Sequence, residues 1–157
     1  MSAEHHYIDR PGEAAVLTAV PTTEQQLGEL TLPAAHESVP RARAFVRTLT
    51  GARGVPHVRD DAEILVSELV TNAVRHAPAG DPLRLLVLRR GTCLRIEVHD
   101  PSPVTPSLRR IDLMDETGRG WFLVAAIADR HGIDRTDSGK SVWCELMAWP
   151  SAGTLIP

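Results

Sequence analysis

Residues 67–76 read SELVTNAVRH, and they sit inside a longer run, Arg59–Ala77, whose pattern decides the fold. Ala62, Leu65, Val66, Leu69, Val70, Ala73, Val74 and Ala77 recur at the spacing of one broad helix face, and Pro78 with Gly80 stops the run. Glu68, Asn72 and His76 are each four residues apart, and four residues advance a helix by roughly 40° beyond a full turn, so the three form one polar stripe. The stripe borders the apolar arc, while Ser67, Thr71 and Arg75 are expected to face solvent. Such a border can line a cleft; periodicity alone fits a solvated shoulder equally well.

Working outward, Leu30–Leu32 alternates like a short strand ended by Pro33, and Ser38 offers an N-cap before Pro40 in a helix running to about Leu49. On the other side, Leu83–Arg89 and Cys93–His99 are β-rich runs joined through Arg90-Gly91-Thr92, which predicts an antiparallel hairpin. The second strand runs into Asp100. Pro101–Thr117 carries three prolines and no sustained period, and so long a stretch reads as a lid. A buried helix over Trp121–Arg130 follows Gly118 and Gly120, with Trp121 and Phe122 as core residues. Ile133–Thr136 and Ser141–Trp149 then form a last hairpin around Ser138-Gly139. Residues 1–28 read as a loosely ordered N-terminal arm, 29–150 as one domain and 151–157 as a C-terminal tail. Strands in antiparallel pairs with intervening helices imply an α+β, two-layer sandwich: a mixed, mostly antiparallel sheet with helices on one face.

The chain has 157 residues, of which 43% are hydrophobic and 24% charged, the balance of one globular domain rather than a fibrous or low-complexity chain. No apolar run approaches the roughly 20 residues that cross a bilayer, and Met1–Arg10 lacks a signal-like apolar core, so a cytoplasmic protein without membrane contact is expected. Seventeen basic against twenty acidic residues, without a basic cluster, argue against direct nucleic-acid binding. Cys93 and Cys144 are far apart and lack metal-ligand spacing, so they read as buried free thiols. Lys140, alone in a turn, reads as solvated, and His76 as an ordinary helix C-terminal residue. His36-Glu37 is not a phosphoacceptor box, because Pro40 falls at the wrong spacing.

Three segments taken together are more specific than any one. SELVTNAVRH is followed by a strand ending EVHDPSP (97–103), then the long loop, then ETGRGW (116–121) opening an apolar helix. In this order the segments resemble the N-box and the two glycine boxes of the GHKL superfamily of histidine kinase-like ATPases, over roughly Leu30–Trp149. A stand-alone domain of this length, closing on GKSVWCELM, resembles the small anti-sigma-factor serine/threonine kinases within it. The resemblance implies a Bergerat-type ATP-binding fold with ATP and Mg²⁺ as cofactors. It makes Glu68 the general base, Asn72 the metal-binding and nucleotide-binding asparagine, and Asp100 the carboxylate that accepts a hydrogen bond from the adenine amino group. It makes Gly118 and Gly120 the glycines that let backbone N–H groups approach phosphates, with Arg119 between them able to pair with phosphate. Ser102 stands where the family carries glycine, and it is small enough to keep as a nucleotide-binding position. ETGRGW also has two glycines where many relatives have three.

The implied activity is phosphorylation of a serine on an anti-sigma-factor antagonist, by a homodimer that also sequesters a sigma factor. The alternative is a non-catalytic, nucleotide-gated regulator of a partner protein, which Ser102 favours. The catalytic half of a split histidine kinase would need a separate histidine-bearing dimerisation protein, which nothing in the chain supplies.

Overall fold

A computed structural model describes residues 23–77, 80–101 and 118–151, with 118–120 described as backbone. The expected lid beyond Pro101, Ser102, most of the expected arm and most of the tail lie outside the described residues. The elements run β1 (Glu24–Leu32), α1 (Ser38–Ala52), a 3-10 turn (Pro56–Val58), α2 (Arg59–His76), β2 (Leu83–Arg90), β3 (Cys93–Asp100), α3 (Gly118–Ile127), β4 (Arg130–Thr136) and β5 (Gly139–Met147). The five strands form one sheet in the order β1-β2-β3-β5-β4. Among the described residues every pairing is antiparallel, with none of the parallel pairing a mixed sheet would include, and the α+β sandwich stands.

The pleat sorts each strand by twos. Leu83, Leu85 and Val87 of β2, Leu94, Ile96 and Val98 of β3, and Val142, Cys144 and Leu146 of β5 enter the main core. There they meet Ala42 and Val46 of α1 and Ala62, Leu65, Val66, Leu69, Val70 and Ala73 of α2. Leu65 is fully buried, and truncating it to alanine would cost about 2–5 kcal/mol through lost transfer energy and the cavity left behind. The helical core residues are those the apolar arc of Arg59–Ala77 predicted.

Three boundaries differ for physical reasons. β1 starts at Glu24, inside the expected arm, because it is a polar edge strand whose alternation is broken by a bulge between Gln26 and Gly28. A Cβ on Gly28 would come within 2.8 Å of the Phe45 ring, so α1 packs directly over the bulge. Ser38 is not an N-cap: it is the first helical residue, and its hydroxyl donates back to the Pro33 carbonyl at 2.5 Å. Third, α3 begins at Gly118 and is not a buried helix. Val124 is buried and Trp121 and Ile127 pack partly inward, but Phe122 is 63% exposed and Leu123 42%, so Phe122 is not a core residue.

The opposite face of β3 and β5 carries a buried polar network. Arg95 bonds Glu97 at 2.5 Å and Glu145 at 3.0 Å, stands 3.6 Å from Asp134, and lies 4.0 Å over the Trp143 ring.

Candidate functional site

Helix α2 has the ends its sequence provides. Asp60 and Asp61 lie in the first turn and Arg75 in the last, each sign matching the helix dipole, and Ala77 turns extended ahead of Pro78. Glu68, Asn72 and His76 lie half-buried along one side of it. The Asn72 side-chain oxygen Oδ1 and His76 Nε2 are both sealed from solvent and have no hydrogen-bond partner among the described residues. Buried polar atoms are nearly always paired, so two such atoms one turn apart mark a place built to meet something else.

Glu68 sits one turn earlier, on a groove of about 480 Å³ shared with Arg43, Asp60, Glu63, Ile64, Ser67 and Leu123. Burial pushes its carboxyl above the ordinary carboxylate value, against the opposing charges of Arg43 and Arg75. Arg43 is held there by the seam between α1 and α2. Its Nε donates to the Ser67 hydroxyl at 2.6 Å, and that hydroxyl donates to the Glu63 carbonyl at 2.7 Å. Ser67 is therefore buried against α1, not facing solvent as the helical wheel suggested, because α1 packs along that side of α2.

Asp100 is the last residue of β3, and the register places it directly across from Lys140 in β5. Lys140 Nζ stands 2.9 Å from Asp100 Oδ2, with both side chains almost wholly buried. The expectation of a solvated turn lysine is thus overturned. Lys140 lies inside a strand, two residues before Val142 and four before Cys144, on the face that looks into the core. Next to it, a Cβ on Gly139 would fall 2.0 Å from the Asp100 carbonyl oxygen, so only glycine lets the turn close onto the end of β3. Helix α2 packs on both β3 and β5. The start of β2 pairs with the end of β3, so Asp100 and Lys140 lie at that end of the sheet.

Gly118, Arg119 and Gly120 form the first turn of α3, whose leading N–H groups have no partner within the helix, the setting that suits a phosphate. Among the described residues no group of three or more His, Cys, Asp or Glu could hold a metal ion. Mg²⁺ does not require one. It favours one or two protein oxygens with water and phosphate completing the shell, and the unpartnered Asn72 oxygen fits that habit. Cys93 and Cys144 are free thiols, with Cys144 buried and pushed up by burial. No described helix is long and apolar enough to cross a membrane.

The structure puts Glu68 and Asn72 on one side of α2 and Asp100 at the end of β3, as the periodicity predicted, whereas sequence reasoning assigned no role to Arg43, Ile64 or Leu123 and read Lys140 as a turn residue. Lys140 carried a signal: it keeps step with Val142, Cys144 and Leu146 in strand alternation. Arg43 carried none, because its role depends on how α1 docks.

A family model described as a histidine kinase-like ATPase domain matches residues 32–146. Over 89 residues the chain is 36% identical to an uncharacterized protein of Streptomyces coelicolor, an alignment spanning 54% of this chain and 84% of that protein.

Proposed function

The chain belongs to the histidine kinase-like ATPase domain family, and on that premise we propose that it is an ATP-dependent protein serine/threonine kinase of the anti-sigma-factor type. Membership carries ATP binding and a regulatory role. The finer reading rests on one observation: a half-buried carboxylate, Glu68, one turn from the unpartnered oxygen of Asn72, opens onto a groove edged by exposed apolar side chains. Ile64 and Leu123 line that groove, and Phe122 is exposed next to Leu123 in α3, a surface suited to a protein rather than to water alone.

Glu68 would accept the proton of an acceptor hydroxyl as its oxygen bonds the γ-phosphorus of ATP and the bond to ADP breaks. Burial raises the Glu68 carboxyl, which makes its carboxylate a stronger base, and the charges of Arg43 and Arg75 oppose that rise. Asn72 would hold Mg²⁺ through Oδ1, and the first turn of α3 would hold phosphate oxygens. Mg²⁺, when bound, neutralises phosphate charge, which with positioning is most of what phosphoryl transfer needs. Asp100 would accept from the adenine amino group. By the same resemblance the partners are an anti-sigma-factor antagonist phosphorylated on serine and a sigma factor held by a homodimer.

The test is transfer of labelled γ-phosphate to a serine-bearing antagonist. Loss of transfer in Glu68→Gln with nucleotide binding retained, and loss of Mg²⁺-dependent binding in Asn72→Ala, are the expected results. Transfer by Glu68→Gln at the wild-type rate would refute the role of Glu68. A second reading, a nucleotide-gated regulator without catalysis, draws on the ion pair already made by Asp100. It predicts nucleotide-dependent partner binding that is indifferent to Glu68→Gln.

A further inference from the structure

The charges along the Glu68 groove pair off, with Arg43 left over. Glu63 accepts from Nε and a terminal nitrogen of Arg47 at 3.3 and 2.7 Å, and Asp60 lies 3.5 Å from Arg59. Glu68 is the half-buried base of the reading above. Arg43 lines the same groove, yet among the described residues it makes no ion pair, and its hydrogen bonding is confined to Nε, which donates to Ser67.

That bond fixes the side chain without using its outer edge. Ser67 is buried and its hydroxyl is anchored on the Glu63 carbonyl at 2.7 Å, so the 2.6 Å contact from Arg43 holds the guanidinium in place. The terminal nitrogens keep their N–H donors for something else. A guanidinium fixed in this way gives up little freedom on binding and matches a carboxylate through two parallel bonds. The groove runs from Glu68 through Ile64 to Asp60, toward the N-terminus of α2, whereas Asn72 lies one turn toward the C-terminus. Arg43, held at Ser67, therefore stands in the part of the groove that leads away from the asparagine assigned to the metal and its phosphates. Ile64 and Leu123, both exposed, line this part from α2 and α3. A fixed cation beside exposed apolar side chains suits a protein segment carrying an acidic and an apolar side chain together, while a small anion would leave the apolar surface wet.

Resting on the kinase reading above, we infer that Arg43 is a specificity-determining residue for the phosphoryl acceptor. It pairs with a carboxylate close to the acceptor hydroxyl, and Ile64 and Leu123 take an apolar side chain of the same linear segment. Ile64 and Ser67 lie within about one helical turn of Glu68, roughly 5 Å along the axis, and an extended segment advances about 3.3 Å per residue. Both side chains therefore belong within about three residues of the serine.

The experiment is phosphorylation by the full-length protein, with labelled ATP and Mg²⁺, of a peptide library with a fixed central serine and degenerate flanks. Wild type is expected to select Asp or Glu together with Leu, Ile or Val in those flanks. A hydrogen bond to a charged group corresponds to about 10–100-fold, so replacing the selected carboxylate by its amide is expected to lower kcat/KM by that factor. In Arg43→Met the same replacement is expected to have no effect, and Leu123→Ser is expected to lose the apolar selection and keep the acidic one. The ratio between the two peptides is the readout because Arg43→Met also acts on Glu68, which serves both peptides alike. Calorimetry is expected to find ATP affinity unchanged in Arg43→Met; a loss there would give Arg43 to the nucleotide phosphates and overturn the inference. Phosphorylation without acidic preference, or a preference that survives Arg43→Met, overturns it too and leaves the kinase reading intact. Labelling of no peptide overturns recognition of a linear segment, and transfer to the antagonist protein then decides the kinase reading separately.

Discussion

Arg95→Leu is expected to destabilise the protein more than most core truncations, although leucine is apolar and the site is buried. The Arg95 guanidinium is bonded to Glu97 and Glu145, is 3.6 Å from Asp134 and covers the Trp143 ring, and Arg95, Glu145 and Asp134 are each more than nine-tenths buried. Removing one partner of a buried ion pair leaves the other uncompensated and costs about 3–5 kcal/mol, and the lost contact with Trp143 adds about 1 kcal/mol. At about 3 °C per kcal/mol for a chain of this size, the combined loss of about 4–6 kcal/mol is expected to lower the melting temperature by roughly 12–18 °C. The loss depends on pH. Burial pushes the Glu97 carboxyl up, but hydrogen bonds from His99 and Arg95 and the Arg95 charge outweigh it, so its folded value lies below the ordinary 4.5. A lowered carboxylate contributes stability that is complete above its unfolded value and is lost as pH falls through the folded one. The gap between wild type and Arg95→Leu is therefore full at pH 7 and narrows below about pH 4.5. Urea denaturation across pH 3–8 reads both the gap and the m-value. A variant within about 1 kcal/mol of wild type at pH 7, or a deficit that does not shrink on acidification, would refute the reasoning.

Four further predictions concern the site. In a double-mutant cycle on Asp100→Asn and Lys140→Met, each single change is expected to cost about 3 kcal/mol and the pair much less than their sum; additive losses in urea midpoints would mean the 2.9 Å contact carries no coupling. Gly139→Ala must shift the turn to relieve a 2.0 Å contact with Asp100, so denaturation is expected to show a loss of about 1–3 kcal/mol, and calorimetry weaker nucleotide binding. Arg43→Met removes a charge that lowers the Glu68 carboxyl, so the acid limb of a pH–rate profile for phosphoryl transfer moves to higher pH, whereas an unmoved limb would dissociate Arg43 from Glu68. Phe122→Ser, at an exposed position, is expected to change stability by less than about 0.5 kcal/mol while raising KM for a protein acceptor and leaving ATP binding intact, read by steady-state kinetics.

What the sequence made legible follows from which physical rules act locally. The helical period of Arg59–Ala77 identified α2 and its core face, and the four-residue spacing of Glu68, Asn72 and His76 put them on one side of it. The alternation through Leu83–Arg90 and Cys93–Asp100 likewise identified the central hairpin, with Asp100 at a strand end. Only the end of β1, Leu30–Leu32, was legible, and its first part escaped because a polar edge strand with a bulge has no period to detect. Ser67 was misplaced because the wheel of one helix says nothing about a second helix lying against its polar side. The outward face of α3 was misread for a related reason. An apolar segment reads as buried whenever its period is obscured, and Phe122 and Leu123 stand exposed beside the inward-facing Trp121 and Val124. Lys140 was misplaced although its strand parity was visible, because the usual behaviour of lysine in a turn was given more weight than alternation.

The two buried charge pairs also bear on how the site is assembled. Arg95 lies directly across from Glu145, and Asp100 directly across from Lys140, on the same two neighbouring strands. Arg95 is on the face away from the helices and Lys140 on the face toward them, so the two pairs guard opposite faces of one ladder. A one-residue slip between β3 and β5 would turn every side chain of one strand to the wrong face, and a two-residue slip would keep the faces but leave all four charges opposite the wrong residues. Apolar alternation alone penalises only the first error, because Leu94, Ile96 and Val98 meet similar residues after a shift of two. Charges that are costly to bury unpaired penalise the second. The register that sets Asp100 against Lys140, and with it the end of the sheet assigned to the purine, is thus specified electrostatically on both faces, not by core packing alone.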